Sequence, residues 1–261
     1  AFGKLSSRPA ADVGVDNEAR MLERVAVLGL STPRIPALLR RGRLGDRPFI
    51  VTSALTGDPV STGLSPAVVE ALGALLRATR RDLPLRRAPG YLTVRRRARR
   101  VMRDAPEPWP RVVRDLLALT VAWLPATCPC CLAHRDFAPW NMLEQPGRGL
   151  GLFDWESGAD GHPALLDLFH FIVQPATLVD HLDARATLQR VRGALARPAV
   201  QRALIRPLEL SPEAVWGLFA YYLLDVVTTY QRDYLDVRPP FSQVALLERA
   251  WFNLSRELLD G

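Results

Sequence analysis

The chain has 261 residues, 48% hydrophobic and 23% charged, enough apolar material for one large or two modest packed units and too much for a disordered chain. Its net charge of +7 divides into +11 over residues 1–140 (23 basic, 12 acidic) and −4 over residues 141–261 (11 basic, 15 acidic). No signal peptide is recognised, and the longest apolar run near the C-terminus, AVWGLFAYYLL (214–224), is cut by Asp225 and is too short to span a bilayer.

In chain order, FGKLS (2–6) reads as the end of a strand. VDNEARMLERVAVLG (15–29) carries Met21, Leu22, Val25 and Leu28 at helical spacing, with Gly29 as a stop. Residues 35–55 read as two strands about a Leu44-Gly45-Asp46 turn, and TGDPVSTG (56–63) as a linker. Beyond it the texture is helical: 65–83 opens with Ser65 as cap and Pro66 in the first turn. Residues 77–114 hold thirteen arginines and three acids, peaking in RRRARR (95–100). The default reading is a solvated helix face; the functional one is attraction for phosphates, nucleic acid or an anionic membrane surface. A helix at 109–124 is expected next, then short strands near 131–134, 141–144 and 150–153. Helices follow near 163–174, 178–196, 211–235 and 240–259, with Ser211-Pro212 repeating the cap signal. The three cysteines lie in CPCC (128–131), a poor disulfide framework and too few ligands for zinc. They read as small buried residues in a reducing, cytoplasmic setting.

The chemistry concentrates in AHRDFAPWNML (133–143) and LGLFDWE (150–156). Asp154 lies eighteen positions after Asp136, a span that a strand, a turn and a returning strand can fill, bringing both carboxylates into one cleft. Asp154 and Asn141 supply hard oxygen donors suited to Mg²⁺. Asp136 could orient a hydroxyl or accept its proton. Of 34 basic residues, only Lys4 is a lysine. A lysine kept in a chain that otherwise uses arginine points to a place where a compact ammonium is needed.

His134-Arg135-Asp136, Asn141 and Asp154 resemble the catalytic loop and metal-binding aspartate of the kinase fold. The wording HRDFAPWN followed by FDWESGADGHPALLDL is similar to the aminoglycoside phosphotransferase and choline kinase superfamily. Only twelve residues separate Asp154 from Asp167, too few for the long activation segment of a protein kinase. The resemblance implies an α+β, two-lobed protein-kinase-like fold. Residues 1–57 would be a small N-terminal α/β nucleotide-binding lobe with its hinge at 52–57, and residues 58–261 a larger, mainly helical catalytic and substrate-binding lobe. It further implies transfer of the γ-phosphoryl group of ATP or GTP, with Mg²⁺, to a hydroxyl of a small molecule such as an aminoglycoside, a sugar or an amino alcohol.

The same resemblance assigns roles. Asp136 would be catalytic, Asn141 and Asp154 would hold the metal, and Lys4 would hold the nucleotide phosphates. Glu18 would position Lys4, with Glu23 as fallback. Backbone groups near Ser53 and Leu55 would meet the base. His134 and Asp167 would brace the catalytic loop. His170 reads as a core histidine, Asp160 and His162 as polar turn residues, Glu156 as a surface residue or a neighbour of the metal, and Arg135 has no role. Because the family places two strands and a phosphate-covering loop before its strand lysine, while three residues precede Lys4, the N-terminal lobe is expected to be truncated. No nucleic-acid partner is expected, and the Arg-rich 77–114 region would supply any peripheral membrane contact. Two other classes compete: a catalytically degenerate binding module and an Arg-driven binder of anionic ligands.

Overall fold

The structure is a computed structural model. It describes residues 1–7, 9–237 and 242–260, without the side chains of 9–10, 232–237 and 242–248. The N-terminal part is an antiparallel sheet of β1 (Phe2–Leu5), β2 (Leu38–Leu44) and β3 (Arg47–Thr52), in the order β1-β3-β2. Gly45 sits at φ +60° in the hairpin turn, a conformation open to a residue without a Cβ. Lys4, on the edge strand β1, pairs with Ile50 of the central strand β3. Helix α1 (Pro9–Ala26) packs on β3 through its apolar stripe of Val15, Ala19, Met21, Leu22 and Val25. It starts before the expected residue 15 because Pro9 occupies its first turn, upstream of the periodic apolar residues.

The rest is mainly helical, with two small sheets. β4 (Asp58–Pro59), β7 (Met142–Gln145) and β8 (Gly149–Leu152) form one; β5 (Arg81–Pro84), β6 (Thr127–Ala133) and β9 (Ala159–Pro163) form the other. Helix α2 (Pro66–Thr79) is capped by Ser65, whose Oγ accepts the Val68 N–H at 3.3 Å. It ends four residues short of the expected 83, because Arg81–Pro84 pairs with β6 and Pro84 could not have continued a helix. Helices α3 (Pro89–Asp104) and α4 (Trp109–Trp123) follow, and then α5 (Leu166–Leu178). The helix expected from 163 begins at 166, since 159–163 belongs to β9. α6 (Ala184–Ala196) starts at its cap Asp183 rather than at 178. A short turn α7 (Pro198–Val200) leads through residues 201–208 to α8 (Pro212–Val237) and α9 (Ser242–Asp260); the expected helix start at 240 lies outside the described residues.

Small strand-rich and larger helical parts make this an α+β fold of the two-lobed kinase-like kind. The core of the helical part is α8 against α3 and α4, with α5 buried along almost its whole length. Among the described residues, no helix is long and apolar enough to cross a membrane. The three cysteines are free and buried on β6, as expected, and burial pushes the Cys131 thiol upward.

The reading of His162 as a turn residue is corrected. It lies on β9 opposite Cys131, is buried, and hydrogen-bonds the Tyr221 hydroxyl through Nδ1 at 3.0 Å. A Cβ at Gly90 would come within 2.5 Å of its ring, so α3 approaches β9 only because Gly90 has none. Asp160, likewise on β9, pairs with Arg81 at 2.8 Å and Arg24 at 3.5 Å. Burial holds the His162 pKa down at about 3. In the unfolded chain the ring protonates near pH 6.5, so its contribution is intact above that pH. It is lost at up to about 1.4 kcal/mol per pH unit as pH falls from there toward 3. Urea unfolding at pH 7, 6, 5 and 4 should show His162→Gln with a shallower acid loss than the parent chain, and equal slopes would contradict this account.

Candidate active site

Two carboxylate centres make up the site. The first is built on β1, α1 and the turn after β8. Lys4 Nζ donates to Glu18 Oε2 at 2.9 Å, Asp154 Oδ1 at 2.7 Å and Glu156 Oε2 at 2.7 Å. Burial works against the Lys4 ammonium, but the three carboxylates outweigh it and raise its pKa above the ordinary lysine value. Glu18 is itself buried, which raises its pKa against the pull of Lys4. Glu23, the fallback, is taken by Arg41 at 3.0 Å. Glu156, for which a surface place and one beside the metal residues were both open, is exposed and also contacts Lys4 directly.

The second centre is the catalytic-type loop. Asn141 Nδ2 donates to the Asp136 carboxylate (Oδ2) and to the Asp136 carbonyl, both at 2.9 Å. Its Oδ1 takes no hydrogen bond from the described residues. His170 Nε2 lies 3.2 Å from Asp136 Oδ1, so the expected core histidine is buried but also touches the candidate catalytic carboxylate. Burial pushes the Asp136 pKa up, yet His170, His134 and Asn141 together carry it below the usual aspartate value, and it is an anion at neutral pH.

His134 joins the centres. Its ring is buried edge-on against Trp155, with centroids 4.6 Å apart. Nε2 lies 2.9 Å from the Phe153 carbonyl, which accepts, and Nδ1 accepts the Asp136 N–H at 3.3 Å. Burial lowers its pKa, consistent with this neutral tautomer. Phe153 N–H also donates to the Asn141 carbonyl at 3.1 Å, tying the residue before Asp154 to the loop. Asp167 accepts the backbone N–H groups of His134 and Arg135, each at 2.8 Å, and so ties this loop to α5. Arg135 and Asp154 both hold left-handed backbone, φ +65° and +63°, which costs a non-glycine residue on the order of 1–3 kcal/mol.

Arg135 has a role that the sequence reading did not assign. Its guanidinium reaches Asp225 on α8, with Nη2 3.1 Å from either carboxylate oxygen, and Arg97 of α3 bonds the same carboxylate from the other side. Asp225 is buried, yet Arg135 and Arg97 overcome the burial penalty and hold its pKa well below the usual range. One arginine of the Arg-rich segment is thus in the interior rather than on a solvated face. Its signal lay in α3 itself: Tyr91, Val94, Arg97, Ala98 and Val101 share the buried stripe. Ser53 and Leu55 line a cavity of about 580 Å³ with Lys4, Glu18, Ile50, Phe153 and Asp154. The Ser53 backbone N–H already donates to the Ala37 carbonyl at 2.9 Å, so that donor is engaged within the fold. A second cleft, of about 980 Å³, holds Asp136, Trp140, Glu156 and His170.

Asp225→Ala leaves two guanidiniums buried against no carboxylate, and should cost about 3–5 kcal/mol of stability. Urea denaturation measures it, and a loss below about 1 kcal/mol would contradict the described network.

Solved structures similar to this chain share its fold. An aminoglycoside-3'-phosphotransferase of type VIII is 22% identical, with 86% of this chain and 83% of that one covered and a TM-score of 0.51. A thermostable mutant of aminoglycoside phosphotransferase APH(4)-Ia, in ternary complex with ADP and hygromycin B, is 15% identical over 97% and 85%, with a TM-score of 0.60. APH(3'')-Id from Streptomyces rimosus, in complex with ADP and streptomycin, is 17% identical over 85% and 86%, with a TM-score of 0.51. No curated protein matches. The sequence model of the phosphotransferase enzyme family, APH, matches residues 2–207, and the chain belongs to that family.

Proposed function

We propose that this phosphotransferase moves the γ-phosphoryl group of ATP or GTP to a hydroxyl of a small molecule. The observation that carries the reading is the coupling of Asp136 to Asp154 through Asn141, His134 and Phe153, with a cavity on the Lys4 side and a cleft on the Asp136 side. Residues 1–57 act as the nucleotide lobe, hinged at 52–57, and residues 58–261 as the catalytic lobe. The nucleotides in the similar structures support the cavity as the nucleotide site, with Ser53 and Leu55 beside the base and Lys4, set by Glu18, on the phosphates.

The donor set fits a hard cation. Carboxylate oxygens of Glu18, Asp154 and Glu156 lie within 4.8 Å of one another, and Asn141 Oδ1 takes no hydrogen bond from the described residues. Asn141 and Asp154 would hold Mg²⁺, which when bound neutralises phosphate charge. Asp136, ionised at neutral pH, orients the acceptor hydroxyl and takes its proton as the oxygen–phosphorus bond forms and the bond to the nucleoside diphosphate breaks. Lys4 now spends its three hydrogens on carboxylates, and nucleotide phosphates entering the cavity would compete for it. No covalent enzyme intermediate is required, and the rate comes from positioning and charge neutralisation.

Asp136→Asn should reduce transfer of the γ-phosphoryl group by about 10²-fold or more, as expected when a positioned base is lost, while nucleotide affinity stays within about twofold. Product formation followed by ³¹P NMR over a panel of hydroxylated small molecules measures the first quantity, and calorimetry the second. Undiminished transfer would overturn the role of Asp136.

A further inference from the structure

Between Asp82 and Asp104 the chain holds eight arginines and no acid. Most of that stretch is α3, and the fold sorts its arginines by face. Tyr91, Val94, Ala98 and Val101 are buried, and Arg97 is drawn in with them to Asp225. On the other side of the helix Leu92, Arg96, Arg99 and Arg103 are all exposed. Their spacing of four, three and four residues sets them in one row along α3, about 16 Å long.

The fold does little to neutralise this row. Arg103 pairs with Asp104 at 2.7 Å, and Arg100 approaches the same carboxylate at 3.8 Å. Arg96 donates to the Thr93 hydroxyl at 3.3 Å. Arg99 has no carboxylate partner among the described residues, and neither has Arg95 beside it. The same holds for Arg86 and Arg87, exposed in the turn that leads into α3.

Such a face is complementary to dense negative charge, which a nucleic-acid backbone and an anionic bilayer both present. Three observations favour the bilayer. α3 packs against α4, α8 and β9 together, so it offers one face rather than a helix free to enter a groove. Residues 92–103 contain no aromatic side chain on which bases could stack. Leu92, 39% exposed, heads the row with an apolar group that a lipid interface accepts and a phosphodiester backbone does not.

We infer that the exposed face of α3 docks this protein on a membrane surface rich in anionic phospholipid. The apolar side of the helix is committed to the core, so the contact is peripheral. Guanidiniums meet the headgroup phosphates and carboxylates, Leu92 meets the interface, and no segment inserts. Each arginine at such a surface strengthens binding about fivefold, and salt screens the effect.

The test is co-sedimentation of the full chain, without nucleotide, with vesicles of phosphatidylcholine alone or with about 30% phosphatidylserine. The parent chain should bind the anionic vesicles at least about tenfold more tightly than the neutral ones, and lose most of that advantage between about 50 and about 300 mM NaCl. Arg96→Gln/Arg99→Gln should weaken anionic binding by about tenfold or more, while Arg96→Lys/Arg99→Lys stays within about threefold of the parent. Both residues are exposed and neither lines the two clefts of the candidate active site, so matching unfolding midpoints show that the surface alone has changed. Equal binding to both vesicles, binding indifferent to the Gln pair, or a Lys pair as weak as the Gln pair would overturn the inference. A duplex RNA bound more tightly than the anionic vesicles, at equal accessible phosphate and through the same two arginines, would assign the face to nucleic acid and overturn it as well. The measurement needs no nucleotide, so its failure leaves the phosphotransferase reading untouched.

Discussion

The site depends on one buried carboxylate. Asp167, in the first turn of α5, accepts the backbone N–H groups of His134 and Arg135. Those two bonds hold Arg135 in left-handed backbone, and that turn directs Asp136 toward Asn141 and His170 while swinging the Arg135 side chain the other way, onto Asp225. Burial raises the Asp167 pKa, and the two peptide donors and nearby histidines work against it. A carboxylate in that position is stable because its oxygens are matched by fixed donors, and the same donors fix the loop.

From that point the polar network spreads outward in two directions. Toward β8, His134 and Asn141 clasp the backbone around Phe153, so the position of Asp154 follows from the position of Asp136. Toward α8, Arg135 carries the loop onto Asp225, where Arg97 from α3 meets it. Three helices and a strand-linked loop therefore share one charge cluster. Burying it is costly unless every member is matched.

Much of this was legible in the sequence. Asp136, Asn141 and Asp154 stood out because hard oxygen donors recur at a spacing that a hairpin can close, and β7 and β8 are that hairpin. Lys4 stood out because it is the only lysine, and it meets Glu18 as expected. Glu156 was harder to read, since an acid one residue past a buried tryptophan in a short turn gives no periodic signal. Arg97 and Asp225 left only a local trace, one in the apolar stripe of α3 and the other ending an apolar run of α8. That the two meet depends on the crossing of α3 and α8, which no local pattern reports. β5 was read as the end of a helix and β9 as a turn, because their pairing with β6 is long-range and local propensity does not report it.

The central claim is that the Lys4 side of the cleft holds a nucleotide through a cation bound by Asp154 and Asn141. Calorimetric titration of an ATP analogue into the parent chain and into Asp154→Asn, each with and without Mg²⁺, tests it most directly. The account predicts that Mg²⁺ strengthens nucleotide binding by tenfold or more in the parent chain and by less than threefold in Asp154→Asn. Nucleotide binding indifferent to Mg²⁺ in the parent chain, or an undiminished Mg²⁺ effect in the variant, would contradict it.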